Sequence, residues 1–147
     1  MQVVDIMTRD VQVVTPDTDL LTVAKHMKEL DVGVIPVAER GQLMGVITDR
    51  DIVIRAIALG VAPEQAIVRE YMTPDPTTVE PHEDVQRVAQ IMAREQIRRL
   101  PVVEGGTLVG ILSIGDVAVD AGKDRLTGDA LERISEPARP RSSERER

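Results

Sequence analysis

Shifted by 65 residues, the chain aligns with its own second half without a gap. Met7-Thr8 falls on Met72-Thr73, Val14-Thr15-Pro16 on Val79-Glu80-Pro81, and Ile35-Pro36-Val37 on Leu100-Pro101-Val102. Gly45-Val46-Ile47-Thr48 falls on Gly110-Ile111-Leu112-Ser113, and Asp51 on Asp116. Over residues 5–52 against 70–117, 16 of 48 positions are identical, far beyond chance. A duplication at this period means two copies of one supersecondary unit. Each copy, at about 50 residues, sits at the lower limit for burying a core of its own. The copies must therefore pack on each other, and the clefts between such units are where ligands sit.

Both copies follow one pattern. Val11–Val14 is an extended stretch stopped by Pro16, and Pro16-Asp17-Thr18-Asp19 opens a helix with acidic groups suited to its N-terminus. Leu20, Ala24, Met27 and Leu30 recur at helical spacing, matched by Val85, Ala89 and Met92. Two strands follow in each copy, 32–37 with 43–47 and 97–103 with 108–112, joined by Gly-containing hairpin loops. A second helix is expected over 51–59 and, in the second copy, from Asp116. Each unit thus reads β-α-β-β-α. The fold class is α+β, with the two sheets packed together about an approximate two-fold axis. The expected divisions are residues 1–65, 66–121, and a tail of 122–147 with a short helix on Leu126, Ala130, Leu131 and Ile134. That helix could cover the module or contact a second subunit; Pro137–Arg147 reads as a flexible charged end.

Composition removes several functional classes. There is no Phe, no Trp and one tyrosine, Tyr71, so no aromatic platform for stacking bases exists. The absence of cysteine removes disulfides, thiolate metal sites and thiol nucleophiles. A net charge of -7 argues against nucleic acid, while a small anion would need a local basic group. No signal peptide and no apolar run of membrane-spanning length are found, so a soluble cytoplasmic protein without a membrane partner is expected. His26 and His82 occupy unmatched positions in the two copies and lack metal-ligand spacing. No metal site and no catalytic residue is expected: nucleophile elbow, Walker A, GxGxxG and HExxH are all missing. Met7, Met27, Met72 and Met92 read as fillers of core or interface.

The succession Met-Thr, Val-Thr-Pro, amphipathic helix, Ile-Pro-Val and Gly-Val-Ile-Thr-Asp-Arg-Asp resembles the CBS motif, and its repetition over residues 5–121 resembles a CBS pair, or Bateman module. The likeness is strongest to small stand-alone bacterial CBS pairs. It implies two clefts that bind adenosine-containing ligands: AMP, ADP, ATP, S-adenosylmethionine or NAD derivatives. In the first cleft it implies Thr48 and Asp51 on the ribose, with Thr15 and Val34 near the adenine. In the second it implies Ser113 and Asp116, with Val79 and Arg99. An ionised carboxylate can accept from two ribose hydroxyls. Thr48-x-x-Asp51 and Ser113-x-x-Asp116 equally match helix capping boxes, and a cap can also line a cleft.

The copies differ where repeat one has Gly33-Val34 and repeat two has Arg98-Arg99. In phosphate-binding relatives, the resemblance implies, a basic residue here reaches across to the partner motif's cleft. Arg98 and Arg99 would then serve the Asp51 cleft, while the Asp116 cleft would receive Gly33 and Val34 and be the weaker. Arg suits phosphate through bidentate donation. Strand alternation would let only one of the pair face the cleft, the other being solvated. The substitution of Glu80 for Thr15, and of Ile114-Gly115 for Asp49-Arg50, points to the same asymmetry. The expected function is a non-enzymatic regulatory module that senses an adenosine nucleotide, requires no cofactor, forms a homodimer and acts on an effector protein. The alternative is a structural or protein-interaction module with no small-molecule ligand.

Overall fold

The computed structural model describes residues 1–120. The expected tail and its helix lie outside the described residues. A short helix α1 (Val3–Ile6) precedes α2 (Leu20–Leu30), the hairpin of β1 (Val34–Glu39) and β2 (Gln42–Thr48), and a helical segment from Asp51 to Leu59. The second half repeats this with α3 (Val68–Tyr71), β3 (Thr73–Pro74), α4 (Val85–Glu95), β4 (Arg99–Glu104), β5 (Thr107–Ser113) and α5 (Ile114–Asp120). This is the expected α+β pair of repeated units. The hairpins pair with equivalent registers, Pro36 opposite Val46 and Pro101 opposite Ile111. They meet edge to edge at Gln42 and Thr107, where the Gln42 amide donates to the Thr107 hydroxyl at 2.9 Å.

The helices start and stop as their sequences dictate. Asp19 accepts from the backbone N–H of Thr22 at 3.0 Å and caps α2. Asp31 and Gln96, at equivalent positions, close α2 and α4 in the left-handed region at φ 55°. The extended stretches before α2 and α4 reduce to single parallel bridges, Val14 to Val37 and Val79 to Val102. The segment expected as one helix over 51–59 is π-helical from Asp51 to Ala56 and 3₁₀ from Ile57 to Leu59. Its counterpart α5 is an ordinary α-helix that starts at Ile114. Successive β-branched residues (Ile52, Val53, Ile54) crowd the preceding turn and weaken regular α-winding in the first copy.

Each hydrophobic core is built from both halves of the chain. Val3 and Ile6 are buried among Val79, Val88, Met92, Leu100, Leu112 and Val117 of the second repeat. Reciprocally, Ala66 and Val68 are buried among Leu20, Val23, Ile35, Ile47 and Ile52 of the first. Hydrogen bonds repeat the exchange at the same 65-residue shift: the N–H of Val3 donates to Glu83 O and that of Val4 to Pro81 O, while Val68 donates to Thr18 O and Arg69 to Pro16 O. Val3 and Val68 are fully buried, and each contributes about 1.5–3 kcal/mol in area removed from water. Neither copy completes its core without the other's leading segment.

The same exchange explains two glycines. Thr73 runs beside β2 and Thr8 beside β5. A Cβ on Gly45 would lie 2.5 Å from the Thr73 carbonyl oxygen, and one on Gly110 would lie 2.7 Å from Met7 Sδ and 2.9 Å from Thr8 O. Only a residue without a side chain lets the crossing backbone approach this closely.

Candidate functional site

The crossing segments, the starts of β1 and β4, and the ends of β2 and β5 converge in two clefts related by the 65-residue shift at Thr8/Thr73, Val11/Pro76, Gln12/Thr77, Val32/Ile97 and Thr48/Ser113. The larger, about 620 Å³, is lined by Thr48, Asp49 and Arg50 at the end of β2, by Ile97, Arg98 and Arg99 at the start of β4, and by Thr73, Pro76 and Thr77. Gly33 and Val34 complete it from the start of β1. The smaller, about 200 Å³, is lined by Ser113 and Asp116, by Val32 and Val34, by Arg99, and by Thr8, Asp10, Val11 and Gln12. Each cleft therefore takes its Ser/Thr from one repeat and its crossing segment from the other.

Both Ser/Thr-x-x-Asp pairs are capping boxes. The Thr48 N–H donates to Asp51 Oδ2 at 3.0 Å, and the Asp51 N–H donates to Thr48 Oγ1 at 3.0 Å. Ser113 and Asp116 repeat this at 3.1 and 3.0 Å. Each cap occupies Oδ2 and leaves Oδ1 outside it. Asp51 Oδ1 lies 3.9 Å from the Arg55 guanidinium, which also donates to the Tyr71 carbonyl at 2.6 Å. Capping and cleft-lining coincide at Ser113 and Asp116. In the first copy, Thr48 lines the cleft while Asp51 sits behind it and holds it by the cap.

The expected residues divide as follows. Thr48, Val34, Arg98 and Arg99 meet in the larger cleft, so the second repeat's arginines do reach the Thr48 side. Ser113, Asp116 and Arg99 meet in the smaller. Gly33 lies in the larger cleft, not the smaller, because its carbonyl accepts from the Asp49 N–H at 2.9 Å and so stays with the end of β2. Thr15 lines neither cleft; its hydroxyl pairs with that of Thr18 at 3.0 Å. Val79 is in the core, 1% exposed, drawn inward by its bridge to Val102. Both arginines line the larger cleft, against the expectation of strand alternation: β4 begins only at Arg99, so Arg98 precedes the ladder that would enforce it.

The crossing segments 8–12 and 73–77 are the lining that the expected site lacks. Their signal was the Met-Thr-x-Asp repeated in both copies, at Met7–Asp10 and Met72–Asp75. Charge separates the clefts. The larger has Arg50, Arg98 and Arg99 against one carboxylate, Asp49. The smaller has Arg99 against Asp10 and Asp116. Arg98 and Arg99 are exposed and make no ion pair among the described residues.

Elsewhere, Asp19 is held below its usual carboxyl range by the Thr22 hydroxyl at 2.6 Å and then by the Thr22 amide. No group of three or more His, Asp or Glu side chains among the described residues is placed to hold a metal ion. No helix among them is long and apolar enough to cross a membrane.

Comparison with known proteins identifies the repeated unit. The CBS-domain family matches twice, over residues 3–57 and 68–119. The CBS domain-containing protein YhcV of Bacillus subtilis is 41% identical over 131 residues, covering 89% of this chain and 93% of the relative. Hypoxic response protein 1 of Mycobacterium tuberculosis is 35% identical over 115 residues, 78% of this chain and 80% of the relative. Among solved structures, Hypoxic Response Protein I with two coordinated zinc ions superposes with a TM-score of 0.74 at 33% identity, covering 82% of this chain and 98% of that one. CBSX2 in complex with AMP superposes with a TM-score of 0.73 at 29% identity, covering 83% and 96%. The doubled match over both repeats, set on a fold whose halves complete each other's cores, places this chain in the CBS-domain family as a tandem pair of CBS domains.

Proposed function

We propose that this chain is a regulatory module that binds one phosphorylated adenosine ligand, such as AMP, ADP or ATP, in the larger cleft. The observation that carries this reading is the meeting of Arg50, Arg98 and Arg99 with Thr48 in one cleft of about 620 Å³. That space falls within the usual range for a drug-sized ligand. Arginine forks suit phosphate oxygens. Val34, Val46, Pro36 and Ile97 give the base an apolar seat. Thr48, oriented by its cap to Asp51, faces the sugar. CBSX2, a structural neighbour, is a complex with AMP. None of the described residues lining the cleft forms an activated nucleophile or an acid–base pair, which supports binding as the output.

A second reading is favoured by a different observation. Val53, Ile54, Ile57 and Leu59 are 53%, 42%, 47% and 75% exposed on the segment Asp51–Leu59. Exposed apolar clusters mark protein contacts, so this segment fits a homodimer or effector interface. Its position directly after Thr48 would pass ligand occupancy to that interface.

The test is a thermal-shift panel on the full chain with AMP, ADP, ATP, S-adenosylmethionine and NADH. Ligand at a hundredfold excess over its Kd stabilises by about 2.7 kcal/mol. A shift with a phosphorylated adenosine, reduced in Arg98→Gly and retained in Asp116→Ala, is the expected outcome. A panel with no shift would exclude these ligands and leave the interaction reading.

A further inference from the structure

Resting on the nucleotide reading above, we infer that Arg99 is one guanidinium shared by two clefts, so that they bind anions antagonistically. Arg99 lines both the larger and the smaller cleft. Val34, its counterpart in the first repeat, also lines both but carries no charge. The pseudo-two-fold that would give each cleft an arginine of its own is broken at this pair of positions, as it is at Gly33/Arg98 and Arg50/Gly115.

The consequence differs between the clefts. The larger keeps Arg50 and Arg98 whatever Arg99 does. Arg99 is the only basic side chain among the described residues that line the smaller, beside Asp10 and Asp116. A phosphate in the larger cleft that engages Arg99 leaves the smaller with two carboxylates and no cation. That cleft then repels a second phosphate and accepts only a ligand without one, such as a nucleoside. Coupling between sites is reciprocal, so a phosphate held by Arg99 in the smaller cleft must weaken the larger by the same factor. Couplings of this kind run at about 5–150-fold. The second repeat's Arg-Arg, read as a device for one cleft, thereby also sets the stoichiometry of the pair: one phosphorylated ligand per chain.

Amide NMR on the full chain separates the sites, because Gly33 and Thr77 line only the larger cleft and Val11 and Gln12 only the smaller. Titration with AMP should move Gly33 and Thr77 first, with Val11 and Gln12 responding at a concentration higher by about tenfold or more. Adenosine added to the AMP-loaded protein should move Val11 and Gln12 without displacing AMP. In Arg99→Ala, Val11 and Gln12 should cease to respond to AMP while Gly33 and Thr77 still do, and adenosine should still move Val11 and Gln12. Arg98→Gly should weaken AMP in the larger cleft and leave the antagonism intact. Two AMP per chain of equal affinity, or a response of Val11 and Gln12 to AMP unchanged in Arg99→Ala, would overturn the inference while leaving the nucleotide reading standing. No response to either AMP or adenosine would remove the nucleotide reading and this inference with it.

Discussion

The cleft on Thr48 and the cleft on Ser113 are built from corresponding residues of one repeated scaffold, yet they differ threefold in volume and in the sign of their surroundings. The scaffold positions are conserved between the copies because they serve the core: Pro36 and Pro101, Gly45 and Gly110, and the capped Thr48 and Ser113 do the same work in each half. The differences gather at half-buried and exposed positions outside the buried core, Gly33-Val34 against Arg98-Arg99 and Asp49-Arg50 against Ile114-Gly115. A duplication held together by its core is free to diverge in its clefts, and here that divergence leaves one cleft suited to an anion.

The largest expected effect tests the shared scaffold. Gly45→Ala meets the Thr73 backbone carbonyl, which cannot yield without moving β3; it should cost about 3 kcal/mol in urea unfolding. Gly110→Ala meets first the flexible Met7 side chain and should cost less, about 1–2 kcal/mol. Equal costs would mean that the two crossings are more alike than the geometry makes them.

Next in size is the charge asymmetry itself. Val34 lines both clefts, so Val34→Arg adds a guanidinium to each; the effect should be felt most in the smaller, acidic cleft, raising its affinity for AMP about tenfold, the worth of one hydrogen bond to a charged group. Isothermal titration would then read two AMP sites per chain. An unchanged single site would mean that charge does not distinguish the clefts.

A smaller effect is expected at the hairpin tips. Arg40-Gly41 and Gly105-Gly106 both turn with positive φ, at 55° and 81° and at 59° and 83°. This is the geometry of a two-residue type I′ turn, which glycine adopts without strain. Arg40→Gly should stabilise by about 0.5–1 kcal/mol, the left-handed penalty less the added freedom of the unfolded chain. A loss of stability in thermal melts would show that Arg40 makes an interaction worth more than its strain.

The smallest expected effect is at the helix starts. Asp19 is held below its ordinary value of 3.8, first by the Thr22 hydroxyl, whereas Asp84, at the equivalent position, makes no side-chain cap bond. A carboxylate depressed by folding stabilises fully above its unfolded value, and that contribution is lost as pH falls through the folded one. Asp19→Asn should therefore narrow the stability difference between about pH 6 and about pH 3, measured by denaturant midpoint. A difference unchanged in Asp19→Asn would mean that the Thr22 hydroxyl does not hold this carboxylate and would erase the distinction between the two caps.

The repeat, the order of its elements and the capping boxes could be read from the chain because they rest on local spacing: Thr48-x-x-Asp51 bonds across three residues whatever lies beyond. The arginines before Pro101 and their reach to Thr48 were also legible, from the repeat and the family resemblance together. The tertiary structure alone decided which segment meets which core. Val3 packs on the second repeat and Val68 on the first because each half can bury its apolar face only by borrowing the other's leading turn, and no local pattern records such an exchange. It brings Thr8–Gln12 and Thr73–Thr77 into the clefts, sends Val79 into the core, and leaves Arg99 between two sites. Local chemistry wrote the parts of this protein, and long-range burial, which depends on where the apolar surface of both halves can be covered at once, assigned them to their places.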